Sequence, residues 1–199
     1  RGFGLTWSMP AVGDDRVYAL DNMNSLYSFV LTNGNQSWKA MPYVSSPSSL
    51  VDVDGTVLAA NANRYLAAYG PGSTQRWLLT TTLSGTPLPL MFGPDATGYL
   101  AFGTRLVAAA PEGTNRWTSN YTRAFTTGFV MDRGGILYCG GQNRLLLALA
   151  ADGKKRWEFT AGGDLQSSPV LGENGQIFFL ASDRRLYALN PEGTKAWDV

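Results

Sequence analysis

The segment Leu186-Tyr187-Ala188-Leu189-Asn190-Pro191-Glu192-Gly193-Thr194-Lys195-Ala196-Trp197 contains a short apolar stretch, a Pro-Glu-Gly turn and a tryptophan four residues after the glycine. Related versions of this segment recur along the chain, each ending on a tryptophan. The repeat tryptophans follow one another at a nearly constant interval and are Trp38, Trp77, Trp117, Trp157 and Trp197. A fixed period of this length indicates tandem repeats, each forming one supersecondary unit. The sequence therefore predicts five units of about 40 residues.

Each unit contains four short apolar or aromatic stretches, three of them joined by tight turns. The turns have suitable chemistry, because the dipeptides Asp54-Gly55, Gly134-Gly135 and Asn174-Gly175 tolerate positive φ and favour β-hairpins. Four strands in a meander, repeated in tandem, form the blades of a β-propeller. We therefore predict an all-β fold, a five-bladed β-propeller of four-stranded antiparallel blades, in a single domain over residues 1–199.

The two ends of the chain match each other as neighbouring units do. If the last residue were followed by the first, Pro10 would come after Trp197 at the same spacing at which Pro169 comes after Trp157. This match predicts a ring closed by pairing of the two ends, which leaves no exposed sheet edge, and hence a monomer. Five units cut from a longer array would match in the same way. An excised or engineered repeat fragment with no selected activity is therefore an alternative.

The composition excludes several classes of function. A net charge of +1 with scattered basic residues leaves no electrostatic footprint for nucleic acid. No apolar run approaches the ~20 residues that cross a bilayer, so no membrane span is expected. The absence of histidine removes Ser-His and Cys-His nucleophile systems and ordinary zinc or iron sites, so no metal site is expected. The single cysteine, Cys139, can form no internal disulfide and is predicted to be a buried small hydrophobe.

The units resemble the repeats of the quinoprotein-like (PQQ-type) β-propellers, whose signature is an Ala-x-Asp/Asn stretch, a glycine turn and a docking tryptophan. The stretch from Ala188 to Trp197 carries this signature best, and the stretches that begin at Ala68 and Ala108 carry it in part. The resemblance covers essentially the whole chain. It implies the propeller fold, an extracytoplasmic location (periplasmic or secreted), and the protein- or peptide-binding role of the assembly-factor and sensor members.

The same resemblance raises an enzymatic alternative, a quinoprotein dehydrogenase. Those enzymes hold the quinone with a vicinal disulfide, a stacking tryptophan, a Ca²⁺ site and a catalytic aspartate, usually on eight blades. A chain with one cysteine cannot form that disulfide, and no residue here corresponds to those roles. We therefore expect no cofactor and no catalytic residues. A hydrolase with two carboxylates is the remaining enzymatic alternative, although most acidic residues fall in predicted turns.

The turn before the third strand of each unit is the best candidate for a ligand site. Along the usual path of a propeller chain, this turn lies on the same face as the loops between blades, around the mouth of the channel. Asn or Asp beside Arg could hold an anionic or polar ligand through charge-assisted hydrogen bonds. Alternatively, Asn and Asp stabilise a tight turn while Arg is solvated. The candidate residues are Asn24, Asn63, Arg64, Asn143, Arg144, Asp183 and Arg184.

The repeat tryptophans are predicted to be structural, each docking between neighbouring blades with its N–H hydrogen-bonded. Trp7 stands outside the series because its separation from Trp38 is clearly shorter than the repeat interval. Alignment of Pro10 with Pro169 places Trp7 in the loop that enters an innermost strand. Trp7 is therefore an additional candidate for ligand contact.

The function predicted from these features is a non-catalytic binding or scaffold propeller that takes a protein or peptide at the mouth of the channel. A carbohydrate-binding, lectin-like propeller is the alternative. It would need aromatic and amide residues repeated in register, one sugar site per blade. The loops between the units do not repeat in that way.

Overall fold

The computed structural model describes residues 10–21, 25–40, 47–53, 55–61, 65–80 and 88–199. These residues form twenty β-strands and one short 3-10 turn, Pro71–Ser73. The strands make five four-stranded sheets, and each sheet joins four consecutive strands in sequence order with antiparallel pairing. Each sheet is one blade. The predicted all-β fold of five four-stranded blades is confirmed.

The blades follow one another along the chain. Blade 1 contains β1 (Ala11–Val12), β2 (Arg16–Leu20), β3 (Leu26–Val30) and β4 (Gln36–Ala40). Blade 2 contains β5 (Pro47–Val53), β6 (Thr56–Asn61), β7 (Tyr65–Tyr69) and β8 (Gln75–Thr80). Blade 3 contains β9 (Met91–Phe92), β10 (Gly98–Phe102), β11 (Arg105–Ala109) and β12 (Asn115–Asn120). Blade 4 contains β13 (Phe125–Met131), β14 (Leu137–Gly141), β15 (Leu145–Leu149) and β16 (Lys155–Thr160). Blade 5 contains β17 (Val170–Leu171), β18 (Ile177–Leu180), β19 (Leu186–Leu189) and β20 (Lys195–Asp198).

The second and third strands of the middle blades are buried on both faces. Every residue of β10, β14 and β15 is buried. A sheet with one solvated face alternates apolar and polar residues, whereas a sheet covered on both sides carries continuous apolar runs. The run Leu145–Leu149 is such a case. Its five apolar residues reflect a neighbouring blade on each side of the sheet.

Within the described residues, a separate apolar cluster fills each junction between consecutive blades. At the junction of blades 4 and 5, Tyr138 and Leu146 of blade 4 pack with Ile177, Phe179 and Leu189 of blade 5. All five side chains are at most 2% exposed. Burying a large apolar side chain stabilises a fold by about 1.5–3 kcal/mol, so these clusters are a main source of cohesion between blades.

The repeat tryptophans pair with a small residue across the last two strands of each blade. The pairs are Trp38 with Ser28, Trp77 with Ala68, Trp117 with Ala108, Trp157 with Ala148 and Trp197 with Ala188. The register shifts at a β-bulge directly beside each pair. A small partner leaves room for the indole on the sheet, and a bulge redirects the strand that carries it. The alanine of the repeat signature therefore seats the tryptophan of its own blade.

The described residues show no fifth junction between blades 5 and 1, which the predicted ring closure requires. Trp197 of blade 5 is 42% exposed. No apolar cluster of the described residues joins blade 5 to blade 1. Residues 1–9, which were expected to pair with the end of blade 5, lie outside the described residues. Within the described ranges, nothing helical has the length and apolar character of a membrane-spanning segment.

Cys139 is fully buried in β14, within the junction of blades 3 and 4. Burial raises the pKa of its thiol well above the usual range, and only the thiolate is reactive. We expect Ellman's reagent at about pH 8 to leave the folded chain unmodified and to titrate one thiol after unfolding in urea. Rapid reaction of the folded chain would contradict this packing.

Candidate functional site

Three repeat tryptophans dock onto the next blade in the same way. The indole N–H donates to a backbone carbonyl in the turn between the last two strands of the following blade. The hydrogen bonds run from Trp77 to Pro111 (2.8 Å), from Trp117 to Ala151 (3.1 Å) and from Trp157 to Pro191 (3.0 Å). A glycine with positive φ lies against each ring, at Gly113, Gly153 and Gly193. These indoles join blades, and their N–H groups are not available to a ligand.

The turns between the second and third strands carry Asn143, Arg144, Asp183 and Arg184. They lie at the end of the strands opposite the turns onto which the tryptophans dock. Hydrogen bonds connect them to the loops between blades: Gln142 N donates to Ala124 O, and Ser182 N donates to Asp164 O, both at 2.8 Å. Turns and loops therefore share one end of the propeller. We call this end the mouth face and define it by residues 103–104, 121–124, 142–144, 161–165 and 182–184.

The turn of blade 4 holds Asn143 and Arg144 in the left-handed backbone region, with φ of 62° and 64°. Asn enters this region more readily than most residues, and a non-glycine residue there costs on the order of 1 kcal/mol or more. Arg144 N donates to Asp164 Oδ1 at 3.0 Å, and its carbonyl accepts from Ala161 N at 2.9 Å. Surrounding contacts thus hold a strained backbone in place.

Asp164 connects the turns of two neighbouring blades. Its carboxylate accepts the N–H of Arg144 in blade 4. Its own N–H donates to Ser182 Oγ at 2.9 Å, in the turn of blade 5. The loop between these blades is therefore tied to both of them, which gives the mouth face a preorganised backbone at this position.

An open cleft of about 580 Å³ lies on the mouth face. We call it the mouth cleft; its lining residues are Arg123, Asn143, Arg144, Leu145, Glu158, Thr160 and Asp164. A second cleft of about 410 Å³ adjoins it, since both are lined by Asn143 and Asp164. Two of the candidates predicted from the sequence, the consecutive residues Asn143 and Arg144, thus line a concave surface.

In the mouth cleft the acidic side chains have partners, whereas the arginine side chains form no ion pair among the described residues. Glu158 pairs with Lys155 at 2.8 Å, and Asp164 accepts the N–H of Arg144. Among the described residues, no ion pair involves the guanidinium of Arg123 or of Arg144. The guanidinium of Arg144 makes one backbone hydrogen bond, at 3.5 Å. Two cations are therefore available to carboxylate or carbonyl oxygens of a ligand.

In blade 5, Asp183 is engaged within its own turn. Its carboxylate accepts the hydroxyl of Tyr187 at 2.6 Å and the N–H of Arg185 at 3.3 Å. The hydrogen bond with Asp183, together with burial, raises the pKa of Tyr187. This geometry favours the turn-stabilising interpretation for Asp183. Arg184 beside it is exposed, with φ of 68°.

The remaining candidates, Trp7, Asn24, Asn63 and Arg64, lie outside the described residues. The structure adds Arg123 and Asp164, which the sequence pattern did not single out. Both belong to loops between blades, and these loops differ from unit to unit. Such residues cannot be found by a search for features that repeat from unit to unit.

Comparisons with known proteins agree with this fold. Residues 103–199 match a family model described as outer membrane protein assembly factor BamB. The crystal structure of BamB from Moraxella catarrhalis superposes with a TM-score of 0.78 at 14% sequence identity, covering 98% of this chain and 62% of that chain. This chain thus spans less than two thirds of the length of that structure. A protein of unknown function from Bacteroides caccae superposes with a TM-score of 0.63 at 12% identity, covering 88% of this chain and 69% of that chain. No curated protein sequence matches this chain.

Proposed function

We propose that this chain, which has a β-propeller fold and matches the BamB family model over residues 103–199, is a non-catalytic scaffold that binds a segment of a partner protein in the mouth cleft. The observation that supports this most directly is the pair of guanidinium groups at Arg123 and Arg144, which form no ion pair within the described residues. Both lie beside Asn143, whose amide can donate and accept hydrogen bonds. A peptide backbone or an acidic side chain supplies the matching oxygen acceptors.

The mouth cleft is suited to recognition because its backbone is preorganised. Asp164 holds the turn of Arg144 through a 3.0 Å hydrogen bond, so little ordering is required when a ligand binds. The carboxylates of the cleft already have donors, whereas its two guanidinium groups have no carboxylate acceptor among the described residues. The net preference is therefore for a partner segment that carries Asp or Glu.

Similarity to BamB supports the location and the class of partner that we propose for this chain. That protein is described as an outer membrane protein assembly factor. We extend to this chain a scaffold role outside the cytoplasm, with protein partners. None of the names of the similar proteins mentions a carbohydrate, so the lectin-like alternative has no support from them.

The test is selection of peptides by the whole chain from a displayed random library. We expect the enriched sequences to carry Asp or Glu. Replacing Arg123 and Arg144 together by alanine is expected to weaken binding of an enriched peptide by roughly tenfold or more, because charge-assisted hydrogen bonds contribute about 1.5–3 kcal/mol each. Added salt is expected to weaken binding as well.

The matched control is Arg133→Ala. Arg133 is exposed in the turn between β13 and β14, at the end of the blade opposite the mouth face. The control removes one arginine charge from outside the mouth cleft, and peptide affinity is expected to stay unchanged. Equal weakening by the control, or full binding by the double variant, would rule out the mouth cleft as the site.

A further inference from the structure

Each repeat tryptophan lies beside a residue at a fixed position on the second strand of its blade. In four blades this residue is aromatic, and its ring centroid lies between 5.7 and 6.0 Å from that of the tryptophan. The pairs are Tyr18 with Trp38, Tyr99 with Trp117, Tyr138 with Trp157 and Phe178 with Trp197. In blade 2 the register places Leu58 at this position, across Ala68 from Trp77. The place beside the indole that a ring fills in the other blades therefore holds a shorter side chain.

A cavity of about 160 Å³ lies beside Leu58, at the junction of blades 2 and 3. We call it the blade-2 cavity and define it by Thr56, Leu58, Arg76, Trp77, Phe92 and Pro111. Leu58 is buried and Trp77 and Phe92 are half-buried, whereas Arg76 and Pro111 are exposed. The cavity thus has an apolar interior and an arginine at its rim. In another protein an apolar cavity of about 150 Å³ holds benzene, so the volume here suits one aromatic ring.

Arg76 is the charged group of the blade-2 cavity. Its side chain lies over the turn of its own blade, since a Cβ added to Gly70 would come within 2.6 Å of Arg76 Nε. Among the described residues, its guanidinium forms no ion pair. Asp95 lies next to Ala96, a further lining residue, but its carboxylate is paired with Arg116 at 2.5 Å. The cavity therefore presents one positive charge without a carboxylate partner in the described part of the chain.

We propose that the blade-2 cavity binds a small aromatic carboxylate. The ring of the ligand takes the place beside Trp77 that tyrosine or phenylalanine takes in the other blades, where tilted contact with the indole and burial favour it. Its carboxylate pairs with the guanidinium of Arg76 through charge-assisted hydrogen bonds. Because the charge stays at the rim, no ionised group is buried against Leu58 and Phe92.

The equivalent positions between blades 4 and 5 are not suited to such a ligand. Tyr138 and Trp157 already supply both rings there, and Arg156 takes the position of Arg76. This second cleft is also lined by Asp132 and Glu192, whose negative charges oppose a carboxylate. We therefore expect one binding site per chain. The blade-2 cavity lies beside the turn that carries Pro111, at the end of the strands opposite the mouth cleft, so it is independent of the proposed function.

The test is calorimetric titration of the whole chain with phenylacetate, which combines one ring with one carboxylate. We expect a single site with a dissociation constant of about 1 mM or below, as suits a ligand of this size. Arg76→Gln is expected to weaken phenylacetate binding roughly tenfold or more, because the charge-assisted hydrogen bonds are lost. The uncharged analogue 2-phenylethanol is expected to bind the unchanged chain more weakly than phenylacetate and to be insensitive to Arg76→Gln. The matched control is Arg156→Gln, which removes the equivalent arginine between blades 4 and 5 and is expected to leave phenylacetate binding unchanged.

Leu58→Phe tests the place of the ring. It restores the aromatic residue of the repeat, as Phe178 does in blade 5, and is expected to abolish phenylacetate binding by filling the cavity. Circular dichroism establishes that this variant is folded. If it does not fold, the comparison of Arg76→Gln with Arg156→Gln still decides the proposal.

Several results would overturn the proposal: no binding of phenylacetate, equal weakening by the two glutamine variants, or full binding by a folded Leu58→Phe chain. Binding of 2-phenylethanol as tight as that of phenylacetate would also overturn it, since the carboxylate would then contribute nothing. The double alanine variant of Arg123 and Arg144 separates this site from the mouth cleft. We expect it to bind phenylacetate with full affinity, and loss of binding there would assign the ligand to the mouth cleft instead.

Discussion

Replacing Gly113 by valine is expected to lower the free energy of unfolding by about 4 kcal/mol, through backbone strain and overpacking together. Gly113 has φ of 88°, where a β-branched residue is strained. Its Cβ would overlap Cγ of Trp77 and would lie 2.8 Å from Cβ of the same residue. The clash is therefore with the root of the indole, which has little freedom to move. The indole of Trp77 must move away from this turn, and its hydrogen bond to Pro111 is lost.

The matched control is Gly34→Val. Gly34 precedes its own repeat tryptophan by four residues, as Gly113 does, and has φ of 68°. No atom lies within 4 Å of its added Cβ, so valine there carries backbone strain alone, about 1–2 kcal/mol. Urea unfolding followed by circular dichroism measures both losses. If they are equal, docking of the tryptophan contributes nothing beyond the turn geometry.

Leu146→Ala is expected to lower the free energy of unfolding by about 3 kcal/mol, because it leaves a cavity in a closed junction. Leu146 is fully buried in β15 and packs in the cluster between blades 4 and 5. Blades on both sides restrict collapse of the surrounding side chains, so the cavity remains largely open. The measurement is again equilibrium unfolding in urea.

Leu186 supplies the control for this prediction. It holds the position in β19 that Leu146 holds in β15, but it is only half-buried and belongs to the last blade of the chain. Leu186→Ala removes less buried surface and leaves no enclosed cavity, so about 1 kcal/mol is expected. A loss as large as that of Leu146→Ala would mean that another element covers blade 5 in solution.

Much of the fold could be predicted from the sequence because its signals are local. A tryptophan at a fixed interval and glycines in the turns are properties of single units. The spacing predicted five blades, and five four-stranded sheets are observed. The role of alanine as the seat of each tryptophan was not predicted. It depends on cross-strand register, as in the pairing of Ala148 with Trp157, and register is set by the turn and its bulge.

The candidate site could be predicted only in part. Asn143 and Arg144 were found because their turn recurs in every unit. Asp183 occupies the same turn in blade 5, yet its carboxylate is engaged by Tyr187, a contact that turn sequence alone does not reveal. Arg123 escaped notice because its loop does not repeat. Its position beside Arg144 results from the packing of separate segments.

The repeated content of the blades is thus encoded in the sequence itself, since strand, turn and tryptophan seat are all formed within a single repeat unit. Which charged groups are paired and which apolar side chains are exposed could be determined only from the tertiary structure. Whether Arg123 and Arg144 remain unpaired depends on loops from different units meeting on the mouth face. Whether Trp197 is covered depends on how the blades are oriented around the propeller. Side-chain packing sets the angle at each junction, and these angles add up along the series of blades. No single repeat contains that angle, so closure of the ring stays a prediction from the repeat pattern, whereas the 42% exposure of Trp197 is a property of the tertiary structure.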